Sequence, residues 1–337
     1  MFWGSGAVIG YTSKTTFRRN YVDVQVNILD GKSAADNDMK DYFLLLRPVH
    51  WIKNVFVFAA LVFAREFQNP WPDVLVALGR VSGAFVCFSL AASAIYILND
   101  YVDRKSDSIH PVRRHRPLAA GRVRASKALV LAVVLATLAL VGAWLLEPLL
   151  GVIIAAYIIQ MILYSATLKR VMILDCILIA VGFCLRAVAG AVVIDVLISP
   201  WLVICTFALC LFLAFSKRRG EIAQLQADSE AFRKTLGEYT PELLAHMLDV
   251  TSVLAVVCFL LYATDQRTQE LMGTTDLIYT APFVLYCIFR FSALTQKGVY
   301  SDPVRLILRD RPFQIGIVLW AVFCTLIVYG IAPQLYG

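Results

Sequence analysis

Charged residues are scarce in this chain: Asp, Glu, Lys and Arg make up 16% of its 337 residues, whereas 59% are hydrophobic. A soluble globular protein typically has about 25% charged and about 45–50% apolar residues. The apolar excess falls in repeated blocks of about 20 residues, the length of helix that crosses a bilayer core of about 30 Å. The composition argues against a soluble enzyme, a disordered regulator and a secreted disulfide scaffold, and it predicts a polytopic helical membrane protein.

The chain also lacks the residue spacings of a disulfide framework or a zinc site. Its eight cysteines all lie in apolar blocks, and no two of them form a Cys-x-x-Cys pair. They are therefore interpreted as small buried hydrophobic residues. The four histidines show no zinc-ligand spacing either.

Nine candidate membrane spans follow a polar N-terminal segment, so the predicted fold class is an all-α bundle of about nine transmembrane helices. Glu147-Pro148 makes a very short turn, which predicts an antiparallel hairpin of spans three and four. Pro282 should bend span eight. The spans cover 43–64, 74–98, 127–146, 148–167, 172–195, 200–216, 244–263, 277–294 and 313–333.

The 31 Lys and Arg residues are distributed unevenly between the two ends of these spans. If the spans alternate in direction, 26 of the basic residues share the side of the N-terminus, and the opposite loops hold only Arg65 and Arg267. Positive loops mark the cytoplasmic side. This predicts a bacterial inner-membrane protein with a cytoplasmic N-terminus and an outer C-terminus. The net charge of +7 then records orientation, and no nucleic-acid partner is expected.

An acidic cluster lies at the end of the second span. At about 100° per residue on a helix, Asn99, Asp100, Asp103 and Asp107 fall at about 0°, 100°, 40° and 80°. We call these four residues the acidic arc. Clustered carboxylates repel one another unless a cation lies between them, and hard oxygen ligands beside a phosphate suit Mg²⁺. The alternative is a solvated helix end that simply carries acids.

A basic stretch follows the acidic arc. Residues 110–117 read His-Pro-Val-Arg-Arg-His-Arg-Pro. Alone, this stretch is equally well interpreted as a topology signal or as a contact with anionic lipids. Beside the acidic arc it is better suited to binding phosphate, because a metal and guanidinium groups would neutralise a diphosphate from two sides.

The acidic arc and its surroundings resemble the UbiA-type superfamily of intramembrane prenyltransferases. The matching pattern is Asn-Asp-x-x-Asp-x-x-x-Asp at 99–107, then Arg-Pro-Leu-Ala-Ala-Gly at 116–121, within about nine helices. The resemblance spans roughly residues 41–333. It implies a transmembrane catalytic domain over residues 41–337, built around a central cavity, in which two acidic motifs hold Mg²⁺ on a diphosphate. Residues 1–40 are expected to be an extension outside that domain, with Met39 as a candidate start.

The sequence departs from the superfamily pattern at the second acidic motif. After span six, residues 216–221 read Ser-Lys-Arg-Arg-Gly-Glu, so one acid and three bases replace a second Asp-x-x-x-Asp. Lys217 and Glu221 are four residues apart and should share a helix face. The segment is either a charged helix exit or a site for a substrate with more phosphate than one metal-bound diphosphate.

Further motifs resemble one branch of that superfamily, the decaprenyl-phosphate phosphoribosyltransferases. The branch implies 5-phosphoribosyl 1-diphosphate as donor and a polyprenyl (decaprenyl) monophosphate as acceptor, with a product that supplies arabinan for cell walls. The motifs are Arg47-Pro48-x-x-Trp51-x-Lys53-Asn54, Ser-Leu-Ala-Ala-Ser-Ala at 89–94, Tyr164 with Lys169, Leu-Arg-Ala at 185–187, and Leu236-x-x-Tyr239-Thr240.

This resemblance assigns roles to particular residues. The acceptor is already anionic near neutral pH, because the second pKa of a phosphomonoester is about 6, and a dedicated general base is unnecessary. Mg²⁺ is expected on Asn99, Asp100, Asp103 and Asp107, and the catalytic group is expected to be Asp100, Asp103 and Lys217. The substrate-binding candidates are Lys53, Asn54, Arg113, Arg116, Tyr164, Lys169, Arg186, Lys217, Arg218 and Glu221.

Several residues and functions stay open at this point. Arg186 and Asp175 lie in or near span five, where ionisable groups usually face a cavity or a partner. Asp302 and Asp310 are interpreted as caps or loop pairs. An aromatic prenyltransferase that uses a polyprenyl diphosphate is the alternative enzyme, but it needs a second metal site. A cation-coupled transporter is disfavoured because the acids lie at a helix end rather than within broken helices at mid-membrane.

Overall fold

The helices of this protein follow one another with short connections, and the described residues contain no β-strand. The computed structural model describes residues 34–63, 67, 69–109, 113–196, 199–224, 239–298 and 303–329. The α-helices are α1 (Ala34–Leu46), α2 (Ala59–Phe63), α3 (Trp71–Ile109), α4 (Ala125–Leu146), α5 (Pro148–Ala166), α6 (Leu174–Val192), α7 (Pro200–Gln224), α8 (Pro241–Thr264), α9 (Gln266–Met272), α10 (Ala281–Gln296), α11 (Pro303–Arg309) and α12 (Arg311–Val328).

The predicted number of membrane spans is confirmed. Within the described ranges, nine helical segments are long and apolar enough to cross a membrane. The predicted hairpin is also confirmed, because α4 ends at Leu146, Glu147 adopts an extended backbone, and α5 begins at Pro148. The bend at Pro282 is not found within a helix. Pro282 lies in the first turn of α10, where a missing backbone N–H costs nothing, directly after a 3₁₀ segment.

The first span is not one continuous α-helix. Arg47 interrupts it with a left-handed backbone conformation (φ 51°, ψ 56°), and a 3₁₀ segment, Pro48–Phe58, separates α1 from α2. A residue before proline is driven out of the α region by the proline ring, which explains why α1 ends at Leu46. The break turns the 3₁₀ segment against α3 and α6.

Helix α3 extends far beyond the span predicted for it. It has 39 residues, a length of about 58 Å at about 1.5 Å per residue. That length exceeds the roughly 30 Å of the hydrocarbon core. The last turns of α3 therefore carry the acidic arc away from the apolar part of the bundle.

Two hydrophobic cores share α6. The first core joins α3, α4, α5 and the C-terminal part of α6 with Val57 of the 3₁₀ segment. The second joins α7, α8, α10 and α12 with Cys176, at the start of α6. Helix α6 therefore fixes the two halves of the bundle relative to each other.

An ion pair between Arg290 and Asp310 lies at the start of α12. Asp310 caps α12 by accepting a hydrogen bond from the backbone N–H of Phe313, and both of its oxygens pair with Arg290. These hydrogen bonds lower the pKa of the Asp310 carboxyl. The interpretation of Asp310 as a cap is thus confirmed. Asp302 and residues 1–33 of the proposed extension lie outside the described residues.

One glycine permits the close approach of the 3₁₀ segment to α6. A Cβ atom built on Gly190 would lie 1.9 Å from the carbonyl oxygen of Val57, which is backbone and has no rotamer in which to move away. Only glycine fits this crossing without displacing the segment that carries Lys53 and Asn54.

Gly190→Ala is expected to destabilise the protein by about 1–3 kcal/mol, the usual cost of overpacking a core. Thermal unfolding of the purified protein in detergent measures it. Gly79→Ala is the matched control, because a Cβ on Gly79 meets nothing within 4 Å in α3. It should leave stability unchanged or raise it slightly. Equal stability of the two variants would contradict the packing argument.

Candidate active site

Two members of the acidic arc share one arginine. Asp100 Oδ1 and Asp107 Oδ2 lie 3.0 and 2.6 Å from the same Nη1 atom of Arg116. Both carboxylates are buried, at 3% and 2% side-chain exposure. Arg47 also donates to Asp100 at 2.5 Å, and Arg113 lies 4.0 Å from Asp107. Buried carboxylates need such compensation, because an unpaired charge away from water is very costly.

The other two members of the acidic arc face a lysine from a neighbouring loop. The Lys169 ammonium lies 2.5 Å from Asp103 Oδ1 and 3.4 Å from Asn99 Oδ1. Lys169 belongs to the 3₁₀ turn Leu168–Arg170, which connects α5 to α6, and its side chain is 9% exposed. All four side chains thus lie on the side of α3 that their helical angles predict.

A second charged cluster forms where α7 leaves the bundle. Arg218 Nε donates to Asp175 Oδ2 at 2.8 Å, and its Nη1 donates to Glu221 at 2.6 Å. Lys217 lies 4.0 Å from the other oxygen of Glu221, as their spacing predicted. We call Asp175, Lys217, Arg218 and Glu221 the second cluster. Arg218 is enclosed by two carboxylates, whereas the Lys217 side chain is 41% exposed.

Tyr239 attaches the second cluster to the start of α6. Its hydroxyl donates to Asp175 Oδ1 at 2.9 Å and accepts from the backbone N–H of Ile173 at 2.7 Å. Asp175 also accepts from the backbone N–H of Cys176. Burial raises the pKa of Tyr239 well above its usual range, so the hydroxyl stays protonated and available as a donor.

A polar seam lies between α3, the 3₁₀ segment and α6 in the interior of the bundle. Along α3, Ser93 accepts from Trp51 at 3.0 Å, and Ser89 accepts from Asn54 at 2.9 Å. The Asn54 carbonyl then accepts from Arg186 at 2.7 Å. Ser89 lies eleven residues before Asp100, which is about 16 Å along the helix.

Arg186 ends this polar seam among neutral groups. Besides Asn54, it donates to the carbonyl of Gly182 at 2.6 Å and to the hydroxyl of Tyr157 at 3.0 Å. Its guanidinium carbon also lies 4.7 Å from the centre of the Tyr157 ring. Arg186 is 5% exposed. Its contacts are those of a side chain that joins α6 to the 3₁₀ segment and α5.

The structure distributes the predicted site residues over three places. The acidic arc gathers three of the predicted basic residues, while the second cluster contains three more of the candidates and interacts electrostatically with Tyr164. Asn54 and Arg186 lie in the polar seam, and Lys53 is on the 3₁₀ segment beside it. The three around the acidic arc are Arg113, Arg116 and Lys169, and the three in the second cluster are Lys217, Arg218 and Glu221.

Sequence reasoning missed two residues of the site. The sequence places Arg47 in a motif without giving it a role, yet its side chain pairs with Asp100, 53 positions away. Tyr239 was likewise part of a motif without a role, and its partner Asp175 was identified only as a residue that needs one. The sequence signal for each residue is its position. Arg47 and Tyr239 each carry a polar group at the boundary of a membrane span, directly before or close to the start of a helical segment. His110, Pro111, Val112 and Leu236 of the quoted motifs lie outside the described residues.

The acidic arc has the donor set that suits Mg²⁺. Because one Arg116 nitrogen contacts both Asp100 and Asp107, the two carboxylates are close enough to share a cation. In the described ranges no three His, Cys, Asp or Glu side chains converge on one point. Mg²⁺ commonly binds one or two carboxylates together with substrate phosphates rather than an all-protein cage. A pair of carboxylates with a nearby Asp103 and Asn99 fits that mode.

The fold and the site together define a polytopic all-α membrane enzyme with an acidic, metal-compatible motif at the end of one helix. Residues 54–307 match the UbiA prenyltransferase family, and the chain belongs to that family. A structure of a UbiA homologue from Archaeoglobus fulgidus bound to DMAPP and Mg²⁺ shares the fold. Its TM-score is 0.64 at 17% identity, with 86% of this chain and 99% of that chain covered.

Two curated relatives support one branch of the family. The decaprenyl-phosphate phosphoribosyltransferase of Mycobacterium tuberculosis is 33% identical over 275 residues, covering 82% of this chain and 90% of that protein. The protein of the same name from Mycolicibacterium smegmatis is 35% identical over 284 residues, covering 82% and 88%. The resemblance drawn from the motifs is thus confirmed at the level of family and branch.

Arg218→Met should destabilise the protein by about 3–5 kcal/mol, because it leaves the Asp175 carboxylate, 1% exposed, without a cationic partner. Lys217→Met, one position earlier on the same helix, should cost less than about 1 kcal/mol because its partner contact is long and its side chain is well exposed. Thermal unfolding in detergent measures both variants. Similar melting temperatures for the two would contradict the structural role of Arg218.

Proposed function

We propose that this chain transfers the 5-phosphoribosyl group from 5-phosphoribosyl 1-diphosphate to a polyprenyl (decaprenyl) monophosphate and releases diphosphate. The reaction depends on Mg²⁺ and takes place at the cytoplasmic face of a bacterial inner membrane. The similarity to curated decaprenyl-phosphate phosphoribosyltransferases supports this choice of substrates. The 26 basic residues on one side of the predicted spans support the orientation.

The observation that carries the proposal is the unequal chemistry of the two charged clusters. The acidic arc offers three carboxylates and an amide, whereas the second cluster offers Lys217 and Arg218 beside Asp175 and Glu221. An aromatic prenyltransferase with two metal sites needs a second acidic motif, whereas the two carboxylates of the second cluster are matched by two basic residues. One metal-compatible cluster together with one that carries an exposed lysine suits a donor with two separate phosphate groups.

The chemistry requires little beyond charge and position. A phosphate oxygen of the acceptor forms a bond to C1 of the ribose while the bond from C1 to the diphosphate breaks. Positive charge develops at the ribose and negative charge on the leaving diphosphate, so aligned cations lower the barrier. The acceptor oxygen attacks as an anion, which makes a general base unnecessary.

The basic residues divide this work by their position. Arg116 and Lys169 lie against the acidic arc and are placed to hold the donor diphosphate. Lys217 is the exposed cation of the second cluster and is placed for the ribose 5-phosphate or the acceptor phosphate. Glu221 orients Lys217 from the next turn of α7. Arg218, enclosed by carboxylates, keeps Glu221 in place.

Asn99, Asp100, Asp103 and Asp107 would hold Mg²⁺ in this scheme. The bound ion would supply positive charge for the diphosphate that leaves. Asp100 and Asp107 are already held in position by Arg116, and Arg47 fixes Asp100 from the other side. Binding of the ion would require Arg116 and Lys169 to turn from these carboxylates towards the donor diphosphate.

The proposed transfer is tested directly with purified protein. With Mg²⁺, 5-phosphoribosyl 1-diphosphate and decaprenyl phosphate, we expect release of diphosphate and formation of a phosphoribosyl lipid, detected by mass spectrometry. Removal of Mg²⁺ with a chelator should abolish turnover. Turnover only with a polyprenyl diphosphate and an aromatic acid would instead assign the chain to aromatic prenyl transfer.

Asp103→Asn should lower the rate of transfer at least about 100-fold, because it removes a carboxylate charge from the metal-compatible arc. The variant should still insert and fold, since asparagine retains the shape of the side chain, although it loses some stability because the Lys169 ammonium, 9% exposed, no longer has a carboxylate partner. Asp73→Asn, in the first turn of the same helix, is the matched control and should keep full activity. Full activity of Asp103→Asn would refute the role of the acidic arc.

A further inference from the structure

The backbone at Ile173 adopts an unusual conformation at the end of the loop that carries Lys169. Ile173 has φ 70° and ψ −46°, a region that β-branched residues rarely occupy. Such strain persists only where surrounding contacts impose it, and it clusters at functional sites. The contacts here are a tight turn, in which the Leu174 N–H donates to the Met172 carbonyl at 2.8 Å, the bonds from Cys176 and Ile177 to the Ile173 carbonyl, and the hydrogen bond from the Ile173 N–H to the Tyr239 hydroxyl. The last of these is the one made by a side chain from elsewhere in the chain.

The strained residue ends the loop that carries Lys169. Only three residues lie between Lys169 and Ile173, and the first of them, Arg170, ends the 3₁₀ turn that contains Lys169. The loop is thus held at two points: Lys169 contacts Asp103 and Asn99, and Ile173 contacts Tyr239. If Ile173 relaxes to an ordinary conformation, the direction of the loop changes, and the Lys169 ammonium moves relative to the acidic arc.

The same hydroxyl also orders the second cluster. It donates to Asp175 Oδ1, while Asp175 Oδ2 accepts from Arg218 and Arg218 donates to Glu221. Tyr239 is 4% exposed, and Asp175 and Arg218 are almost inaccessible. Because the hydroxyl acts as donor and acceptor at once, one atom fixes groups on both sides of the loop.

We propose that Tyr239 is a positioning residue that holds Lys169 against the acidic arc and, through Asp175, aligns the second cluster with it. This inference rests on the proposed function only in assuming that both clusters contact one donor molecule. Tyr239 itself touches no substrate. Its ring packs in the second core, so the ring and the hydroxyl have separable roles.

The test is a double-mutant cycle between Tyr239 and Lys169. Tyr239→Phe keeps the ring and removes the hydroxyl, and we expect kcat/KM for the donor to fall about tenfold, the scale of loss for a misplaced group. Lys169→Met should lower it about 100-fold. If Tyr239 acts in part through Lys169, the loss in the double variant should be clearly smaller than the product of the two single losses, and only the part that Tyr239 exerts through Asp175 should remain. A further tenfold loss in the double variant would overturn the proposal.

Thr240→Ala is the matched control for a merely local structural effect. Thr240 caps α8 through its hydroxyl and the N–H of Leu243, and it adjoins Tyr239 without entering the network. The effects of Thr240→Ala and Lys169→Met on kcat/KM should simply multiply, with no coupling between them. Coupling of the same size for Thr240→Ala would show that any disturbance before α8 affects Lys169, and it would refute a specific role for the Tyr239 hydroxyl.

Hydrogen exchange of the full-length protein in detergent provides a readout that needs no substrate. Tyr239→Phe should accelerate exchange of the amides at 168–173 at least about fivefold, because the Ile173 N–H loses its acceptor. Thr240→Ala should leave those amides unchanged. Unaltered exchange in Tyr239→Phe would refute the proposal, whatever the activity. A wild-type chain inactive with the proposed substrates would refute the proposed function alone, and the cycle would then use the transfer that the wild type does catalyse.

Discussion

Charge compensation between helices is the constraint on which this structure depends. Asp100, Asp107, Asp175 and Arg218 are all nearly inaccessible, and each has an opposite charge supplied by another part of the chain. A buried charge is tolerated only with a well-placed partner. Packing of the bundle and assembly of the charged clusters are therefore one event. A helix in the wrong position would leave a buried charge unpaired, which penalises alternative arrangements.

The sequence predicted those features that depend on local pattern. The spans follow from blocks of apolar residues whose length matches the bilayer. The acidic arc follows from helical periodicity, which places its four side chains on one side of α3, where Arg116 and Lys169 contact them. The spacing of Lys217 and Glu221 likewise predicts their contact. In each case the residues that the pattern relates lie within a few turns of one helix, where geometry is known before tertiary structure.

The features that the sequence did not predict depend on contacts between residues that are far apart in the chain. Tyr239 and Asp175 are 64 positions apart, and Arg47 and Asp100 are 53 apart. No helical periodicity relates such positions, because the distance between their side chains depends on how separate elements of the bundle pack. The 3₁₀ segment was not predicted for a related reason. It depends on packing against α3 and α6, and Gly190 permits the close approach to α6. Apolar composition alone does not distinguish it from an α-helix.

The polar seam that ends at Arg186 has a consequence for the permeability of the bundle. A line of amides and hydroxyls through an apolar protein is a route along which water and protons could pass. The fixed positive charge of Arg186, held by neutral oxygens, repels hydronium and metal cations in a low-dielectric interior. This part of the bundle interior is therefore unfavourable for cations, although amides and hydroxyls line it.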